Sequence, residues 1–210
     1  MSDVLNRLAY LQTRRDRTPN LDLARDLVAR EDKANIREIA QNMWNENKNI
    51  HKDCIHVMYE ISIIDPELVT PYSEDFIKLL KSKHAEMVSG AMTALAEIAK
   101  IKPEVIFNHL DAVKKAGEEG EESTVDSFIS ALANTASASE DYNTKILPYL
   151  IEYISTCRPK DVPQHAERIL PAIDEFNKDE FVKVLKKRQK NLDSAAFTRL
   201  GRIIKLAEKL

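Results

Sequence analysis

The sequence has little glycine, little cysteine and no long apolar run, and each shortage excludes a class of structure. Only 4 of its 210 residues are glycine, the residue that tight β-hairpin turns need most, so strands are not expected to dominate. Its two cysteines, Cys54 and Cys157, are too few and too far apart for a disulfide framework, and we predict that both are reduced thiols. A membrane span needs an apolar run of about 18 residues, and the chain has no such run. Its first ten residues do not resemble a secretory signal. We therefore expect a cytoplasmic protein with no membrane partner.

The charge of the chain is distributed unevenly, although the formal net charge is only -3. Residues 49–177 contain 12 lysines and arginines against 22 aspartates and glutamates, whereas residues 178–210 contain 10 against 4. The C-terminal end is therefore the one markedly basic part of an otherwise acidic chain. Such an end is a candidate surface for phosphates or for an acidic partner.

An internal repeat of about 37 residues is the strongest signal in the sequence. The segment Ile64-Asp65-Pro66-Glu67 recurs as Ile101-Lys102-Pro103-Glu104. The same offset aligns three sets of residues whose spacings of three and four define one helix face: Cys54, Met58, Ile61 and Ile64; Ala91, Leu95, Ile98 and Ile101; and Phe128, Leu132, Thr135 and Ala138. Each repeat is therefore predicted to be a helix, a short turn and a second helix.

A fourth copy is predicted at an offset near 38, after the break at residues 158–161. Leu170, Ile173 and Phe176 are expected on its first helix and Val184 on its second. The final apolar run, from Phe197 to Ala207, predicts an unpaired terminal helix. At the other end, helical patterns over residues 4–10, 21–30 and 36–44 match the offset poorly, as those of a capping repeat would.

Helix ends are predicted from residues that supply hydrogen-bond acceptors or lack an N–H. Asp65-Pro66 combines an N-cap oxygen with a first-turn proline, and Ser123-x-x-Asp126 and Asn177-x-x-Glu180 resemble capping boxes. Prolines 71, 148 and 171 fall inside helical patterns, where they should bend the helix or make it restart.

The period and the Asp65-Pro66 turn make residues 49–192 resemble the HEAT-like and armadillo-like repeat superfamily, including adaptin-like trunk repeats. That resemblance implies an all-α fold, a right-handed α-solenoid of about five stacked helical hairpins. It also implies one domain over residues 1–210. Within it, residues 1–48 form atypical N-terminal capping helices, 49–192 the repeats, and 193–210 a C-terminal capping helix. A tetratricopeptide array has a similar period, but its residue signature is missing here.

No arrangement of residues predicts catalysis, a metal ion or a cofactor. His51, Cys54 and His56 are close in sequence, but spacings of three and five cannot put all three on one helix face. Neither cysteine lies beside a histidine or a helix start that would lower the pKa of its thiol. The glycines of residues 116–122 alternate with carboxylates, which would repel a phosphate rather than bind it. We expect that the protein is not an enzyme.

Lysines in the last quarter of the chain are the strongest binding candidates. Positions 183, 186, 187 and 190 share one helix face, and Arg188 lies among them. The offset of 37 places Lys78 and Lys115 at equivalent positions in the second helices of earlier repeats. In HEAT-like arrays second helices commonly line the concave surface, so the resemblance implies one basic track: Lys78, Lys115, Lys183, Lys186, Lys187, Arg188 and Lys190. A solvated helix surface is the simpler alternative.

Two interpretations of function follow from these patterns. The first is a non-catalytic scaffold or adaptor that binds a protein partner, because stacked repeats offer a rigid, extended surface. The alternative is an RNA- or DNA-binding module that uses the basic second-helix face. A HEAT-like DNA glycosylase is a distant third interpretation, because its site residues cannot be matched in this chain.

The single tryptophan, Trp44, is predicted to close the first repeat against the next, with an exposed anchor as the alternative. The sequence does not indicate an oligomeric state.

Overall fold

The computed structural model describes residues 2–190 and 192–210, and this part of the chain contains twelve α-helices and no strand. None of these helices is both long and apolar enough to cross a membrane. The all-α prediction is therefore confirmed. In chain order the helices are α1 Thr18–Ala29, α2 Lys33–Asn42, α3 Lys48–Ile64, α4 Ser73–Leu79, α5 Ala85–Ile98, α6 Pro103–Asn108, α7 Leu110–Glu118, α8 Glu122–Ala136, α9 Glu140–Thr156, α10 Val162–Ile169, α11 Lys178–Gln189 and α12 Ser194–Ala207.

The chain forms two compact units, Met1–Ser127 and Phe128–Leu210, and the division falls inside α8. In the first unit, α3 packs between α1 and α5, and α4 packs on α5. In the second unit, α9 packs on α10 and α11, and α12 packs on α10 and α11. Each unit thus consists of helices that cover the apolar faces of their neighbours. The prediction of a single domain over 1–210 remains a prediction.

The predicted apolar face of the first helices is confirmed at three of its four positions in each of the first three repeats. Nine side chains on this face are fully buried: Cys54, Met58, Ile61, Ala91, Leu95, Ile98, Phe128, Leu132 and Thr135. The fourth position is different, because it falls where the helix gives way to the turn. Ile64 and Ile101 are 46% and 42% exposed there, and Ala138 is exposed as well. The repeat therefore places an uncovered residue at the end of each first helix.

The turns follow the predicted proline signals in most places. The Asp65 carboxylate accepts a hydrogen bond from the Glu67 backbone N–H at 3.0 Å, and Pro66 begins a single 3₁₀ turn. Pro71 lies in a second 3₁₀ turn, after which the chain restarts as α4. Pro148 is tolerated inside α9, which continues through it.

Several local predictions are wrong. Residues 4–10 form one 3₁₀ turn rather than a helix, because the extended backbone of Leu8 ends it at once. Ser123 is not an N-cap, since α8 begins one residue earlier, and its hydroxyl pairs instead with that of Ser89 at 2.9 Å. Asn177 is the N-cap residue of α11, but its side chain does not accept a hydrogen bond from the first turn of that helix.

The first helix of the fourth repeat is shorter than predicted. Helix α10 ends at Ile169, and Pro171 lies in the 3₁₀ turn Leu170–Ala172 that follows. Pro171 has no N–H to donate and its ring crowds the preceding turn, which disfavours continuation of the helix to Phe176. Ile173 is still buried, but Phe176 lies in a turn and is 90% exposed.

Trp44 does not close the first repeat completely, because it lies just beyond α2 with 48% of its surface exposed. The alternative interpretation, an exposed aromatic side chain, describes it better.

The prediction that both cysteines are free thiols is confirmed, and Cys54 is buried.

Burial also favours the neutral form of His56 on α3. Its Nδ1 is buried and has no hydrogen-bond partner among the described residues, while Nε2 lies 3.4 Å from a carboxylate oxygen of Glu60. Desolvation, and to a smaller extent the charge of Arg17, lowers the pKa of His56 to about 4. Desolvation also raises the pKa of Glu60. The neutral imidazole is therefore the form that the fold favours.

Replacing Gly90 by alanine should destabilise the first unit, because α3 and α5 approach closely there. A Cβ atom at Gly90 would lie 2.7 Å from Ile55 Cγ1 and 3.2 Å from Tyr59 Cδ1. Overpacking should outweigh the gain in helix propensity and lower the free energy of unfolding by about 1 kcal/mol. Gly201→Ala on α12 is the control, since only the flexible end of Gln189 is near, at 3.2 Å. Urea unfolding followed by circular dichroism should show no loss for this control; equal losses for both variants would contradict the close approach.

Stability should fall as pH is lowered from 7 towards 4. The pKa of His56 is about 4 in the folded chain and near 6.5 when unfolded, so the unfolded chain binds the additional proton across this window. The loss from this group should reach up to about 3 kcal/mol at the acid end. His56→Gln should flatten the pH dependence of the urea midpoint between pH 4 and 6.5. An unchanged slope would show that His56 is not the group responsible.

Candidate functional site

The predicted basic face exists on α11. Lys183, Lys186, Lys187 and Lys190 are all exposed, on the side of the helix opposite the fully buried Phe181 and Leu185. Lys186 forms an ion pair with Glu208, with Nζ 2.7 Å from the carboxylate. The other three lysines have no ion pair with any carboxylate in the described chain, which leaves three positive charges in solvent.

Arg188 has a structural contact that sequence reasoning missed. Its guanidinium donates to the carbonyl oxygen of Ser155 at 3.1 Å and to that of Cys157. These carbonyls belong to the C-terminal end of α9, where backbone acceptors lack partners within the helix. A cation placed there is also favoured by the helix dipole. Arg188 therefore links α11 to the end of α9, whereas its role in binding remains a prediction.

The two remaining predicted residues lie in the first unit. Lys78 is exposed in the last turn of α4, 3.7 Å from a carboxylate oxygen of Asp75, and Lys115 is exposed in the last turn of α7. Both lysines lie in the last turn of their helices. The basic track that would join them to the lysines of α11 remains a prediction.

A cleft in the second unit is a further candidate that the sequence did not indicate. It has a volume of about 530 Å³ and lies between the end of α8, the start of α9 and residues 171–177. We call it the turn cleft. Its size is within the range of roughly 300–1,000 Å³ that is usual for ligand sites.

Hydrogen bonds hold one wall of the turn cleft in place. The Asp174 carboxylate accepts from the backbone N–H groups of Phe176 and Asn177, at 2.9 and 3.1 Å. The Asn177 side chain accepts from the Asp174 N–H at 3.0 Å, and Asn143 on α9 donates to the Ala172 carbonyl at 2.7 Å. This network fixes the turn, and the turn directs Phe176 into solvent at the edge of the cleft.

The charge of the turn cleft has one sign. Glu140 and Asp174 are among the residues that line it, and no lysine or arginine of the described chain does. Neither carboxylate has an ion pair within the described residues. The cleft thus combines an exposed aromatic ring with uncompensated negative charge, on a wall that the hydrogen bonds above make rigid.

Neither cysteine is prepared for nucleophilic chemistry. Burial raises the pKa of the Cys54 thiol far above its usual value, and burial also raises that of Cys157 despite the nearby charge of Arg188. The described residues contain no group of three histidine, cysteine, aspartate or glutamate side chains placed to hold a metal ion.

The turn cleft could have been anticipated from one signal. Pro171 lies five residues before Phe176 and makes a continuous helix through both unfavourable. The structural contact of Arg188 carries no such signal, because its acceptors are 33 and 31 residues away in sequence.

Replacing Arg188 by alanine should destabilise the second unit, unlike removal of a neighbouring lysine. The variant leaves carbonyls at the end of α9 without their charged donor, which should cost about 1–3 kcal/mol of unfolding free energy. Lys187→Ala is the matched control, and its effect should stay within about 0.5 kcal/mol because that side chain is in solvent. Urea unfolding measures both. If the two variants proved equally stable, the contact with α9 would have no structural role.

Comparisons with known proteins bear on the fold. No protein-family model matches the chain, and neither does any curated protein sequence. Solved structures do match. An engineered protein is 21% identical with a TM-score of 0.64, over 100% of this chain and 98% of its own. A designed armadillo repeat protein in complex with the peptide (KR)4 is 16% identical with a TM-score of 0.62, over 98% and 99% of the two chains.

A third match is a chain from a crystal structure described as showing computationally designed armadillo repeat proteins for modular peptide recognition. It is 15% identical with a TM-score of 0.59 and covers 97% of this chain and 98% of the other. At such identities a structural likeness is evidence of the fold alone. The chain has the all-α helical-repeat fold of armadillo-like and HEAT-like proteins.

Proposed function

We propose that this protein is a non-catalytic scaffold that binds a segment of a partner protein at the turn cleft. The observation that carries the proposal is Phe176, which is 90% exposed at the edge of a cleft of about 530 Å³. Single exposed apolar residues are ordinary on protein surfaces, but an aromatic ring beside a preformed cleft is typical of an interaction anchor.

Three further features support this function. The carboxylates of Glu140 and Asp174 favour a partner segment that carries a lysine or arginine beside an apolar residue. Stacked helices give the site a rigid base, so little conformational entropy is lost when a partner binds. Two structural neighbours are described as peptide-bound or as designed for peptide recognition, which is compatible with a peptide-binding role on this fold.

The same proposal includes a cytoplasmic location. Both cysteines are free thiols, and a reducing compartment maintains that state.

Nucleic-acid binding is the second candidate, and one observation favours it. Lys183, Lys187 and Lys190 are exposed without an ion pair in the described chain, so they are available for phosphates. Three phosphate contacts would give a salt dependence with a log–log slope of about -2.7 on duplex DNA. The acidic character of residues 49–177, with 22 carboxylates against 12 cations, opposes this function over most of the chain.

Replacing Phe176 by alanine should reduce partner capture from a cell extract. We expect the tagged wild-type chain to retain a protein partner after nuclease treatment, and Phe176→Ala to lower its recovery about fivefold or more, since the loss of an aromatic anchor costs at least 1 kcal/mol. Phe197→Ala is the matched control, because Phe197 lies in the same unit and is 50% exposed outside the cleft. Mass spectrometry of the bound fraction measures recovery. A partner retained equally by both variants would mean that the turn cleft is not its site.

Replacing Lys183 and Lys187 together by alanine separates the two candidate functions. Partner recovery should match that of the control Lys81→Ala/Lys83→Ala, which removes two exposed lysines from the first unit. If recovery is instead abolished by nuclease, and by the α11 variant but not by its control, nucleic-acid binding replaces the scaffold function.

A further inference from the structure

A second cavity, in the first unit, is lined by four cations and two carboxylates. It has a volume of about 170 Å³, and the loop before α1 and the first turns of α3 form its walls. Its cations are Arg14, Arg15, Arg17 and Lys52. No local sequence pattern marks this cluster, because its three arginines precede α1 and the lysine is 35 or more residues further along the chain.

The existing ion pairs of this cluster leave positive charge uncompensated. Arg17 and Lys52 share one carboxylate, that of Glu86, at 3.4 and 2.6 Å. Arg14 is paired with Asp16 at 2.8 Å. Arg15 is exposed, lines the cavity, and has neither an ion pair nor a side-chain hydrogen bond with any described residue.

The two carboxylates that line the cavity are already engaged. Asp53 accepts from the Tyr10 backbone N–H at 2.7 Å and from the Asn20 side chain at 2.8 Å. Asp16 accepts from Arg14 and from the Thr18 N–H, and hydrogen bonds from Thr18 and Arg14 lower its pKa to about 2. With Glu86 included, four cations face three carboxylates, so the cluster remains positive. The first turn of α3, which also lines the cavity, adds the positive end of a 17-residue helix.

We propose that Arg14, Arg15, Arg17 and Lys52 form a binding site for one phosphate dianion, either free or as the phosphomonoester of a phosphorylated side chain. Guanidinium groups suit this ligand because their N–H groups match pairs of phosphate oxygens. The volume also fits, since 170 Å³ equals about six water volumes and is smaller than the roughly 300 Å³ of the smallest drug-sized sites. The site is independent of the turn cleft and of the proposed scaffold function.

The test uses inorganic phosphate and O-phosphoserine as probes for the full-length protein, followed by ¹⁵N NMR at constant ionic strength with chloride as the reference anion. Both probes should shift the amide resonances of residues 14–18 and 49–53 in a saturable way. Arg15→Ala should weaken the affinity about fivefold or more, because it removes a charged donor worth at least 1 kcal/mol. The matched control Arg25→Ala removes an exposed arginine of α1 whose nearest carboxylate is that of Asp22, outside the cavity.

Each outcome of this titration supports or overturns the proposed site, or identifies the source of its phosphate ligand. Saturable shifts that Arg15→Ala weakens and Arg25→Ala does not would establish the site. Tighter binding of O-phosphoserine than of inorganic phosphate would then identify a phosphorylated side chain as the source, and the reverse order would identify free phosphate. Shifts no larger than those from chloride, or equal weakening by both variants, would overturn the proposal. Because Arg15 has no ion pair and no side-chain hydrogen bond with any described residue, its removal is not expected to impair folding.

Discussion

The structure depends on the burial of one helix face against the next helix, because no helical pair in this chain can cover its apolar side alone. Cys54, Met58 and Ile61 on α3 are fully buried, and so are their equivalents on α5. The two helices approach so closely that a Cβ atom at position 90 would lie 2.7 Å from Ile55 Cγ1. Hydroxyl pairs, Ser89 with Ser123 and Thr93 with Ser127, join the next helices of the series at 2.9 and 3.0 Å. Surfaces used for stacking are therefore not available to a partner.

Stacking leaves the turns and the outward helix faces uncovered. The candidate binding sites lie on these uncovered surfaces. The apolar face loses its cover where α3 and α5 end, which exposes Ile64 and Ile101, and Phe176 is exposed in the turn that follows α10. In the fourth repeat Pro171 lies where the helical segment ends early. The turn that follows is held by hydrogen bonds that the Asp174 and Asn177 side chains accept and by one that Asn143 donates. A large ring directed into solvent from a fixed turn is suited to insertion into a partner. The lysines of α11 and the arginines before α1 form exposed positive surfaces, whereas the turn cleft is acidic.

The repeat architecture could be predicted from the sequence, because an offset of 37 that preserves spacings of three and four has one simple physical cause, a repeated helical pair. The contacts of individual side chains could not be predicted, because they depend on tertiary packing and leave no local sequence pattern. Contacts between neighbouring first helices join residues 34 apart rather than 37, because the helices meet about one turn out of register. Arg188 was predicted as a binding residue from its neighbours, yet its guanidinium bonds the end of α9. The spacing of Phe176 from Leu170 and Ile173 predicts a helix, but Pro171 disfavours that helix and Phe176 lies in a turn.

The proposed function requires that the partner binds at the turn cleft of the second unit rather than on the basic face of α11. Hydrogen–deuterium exchange of the chain, alone and in complex with the partner captured from extract, distinguishes the two surfaces, because bound segments exchange more slowly. We expect added protection in residues 136–144 and 171–177, with the exchange of residues 183–190 unchanged. Protection confined to residues 183–190, with the turn cleft exchanging as in the free chain, would contradict it.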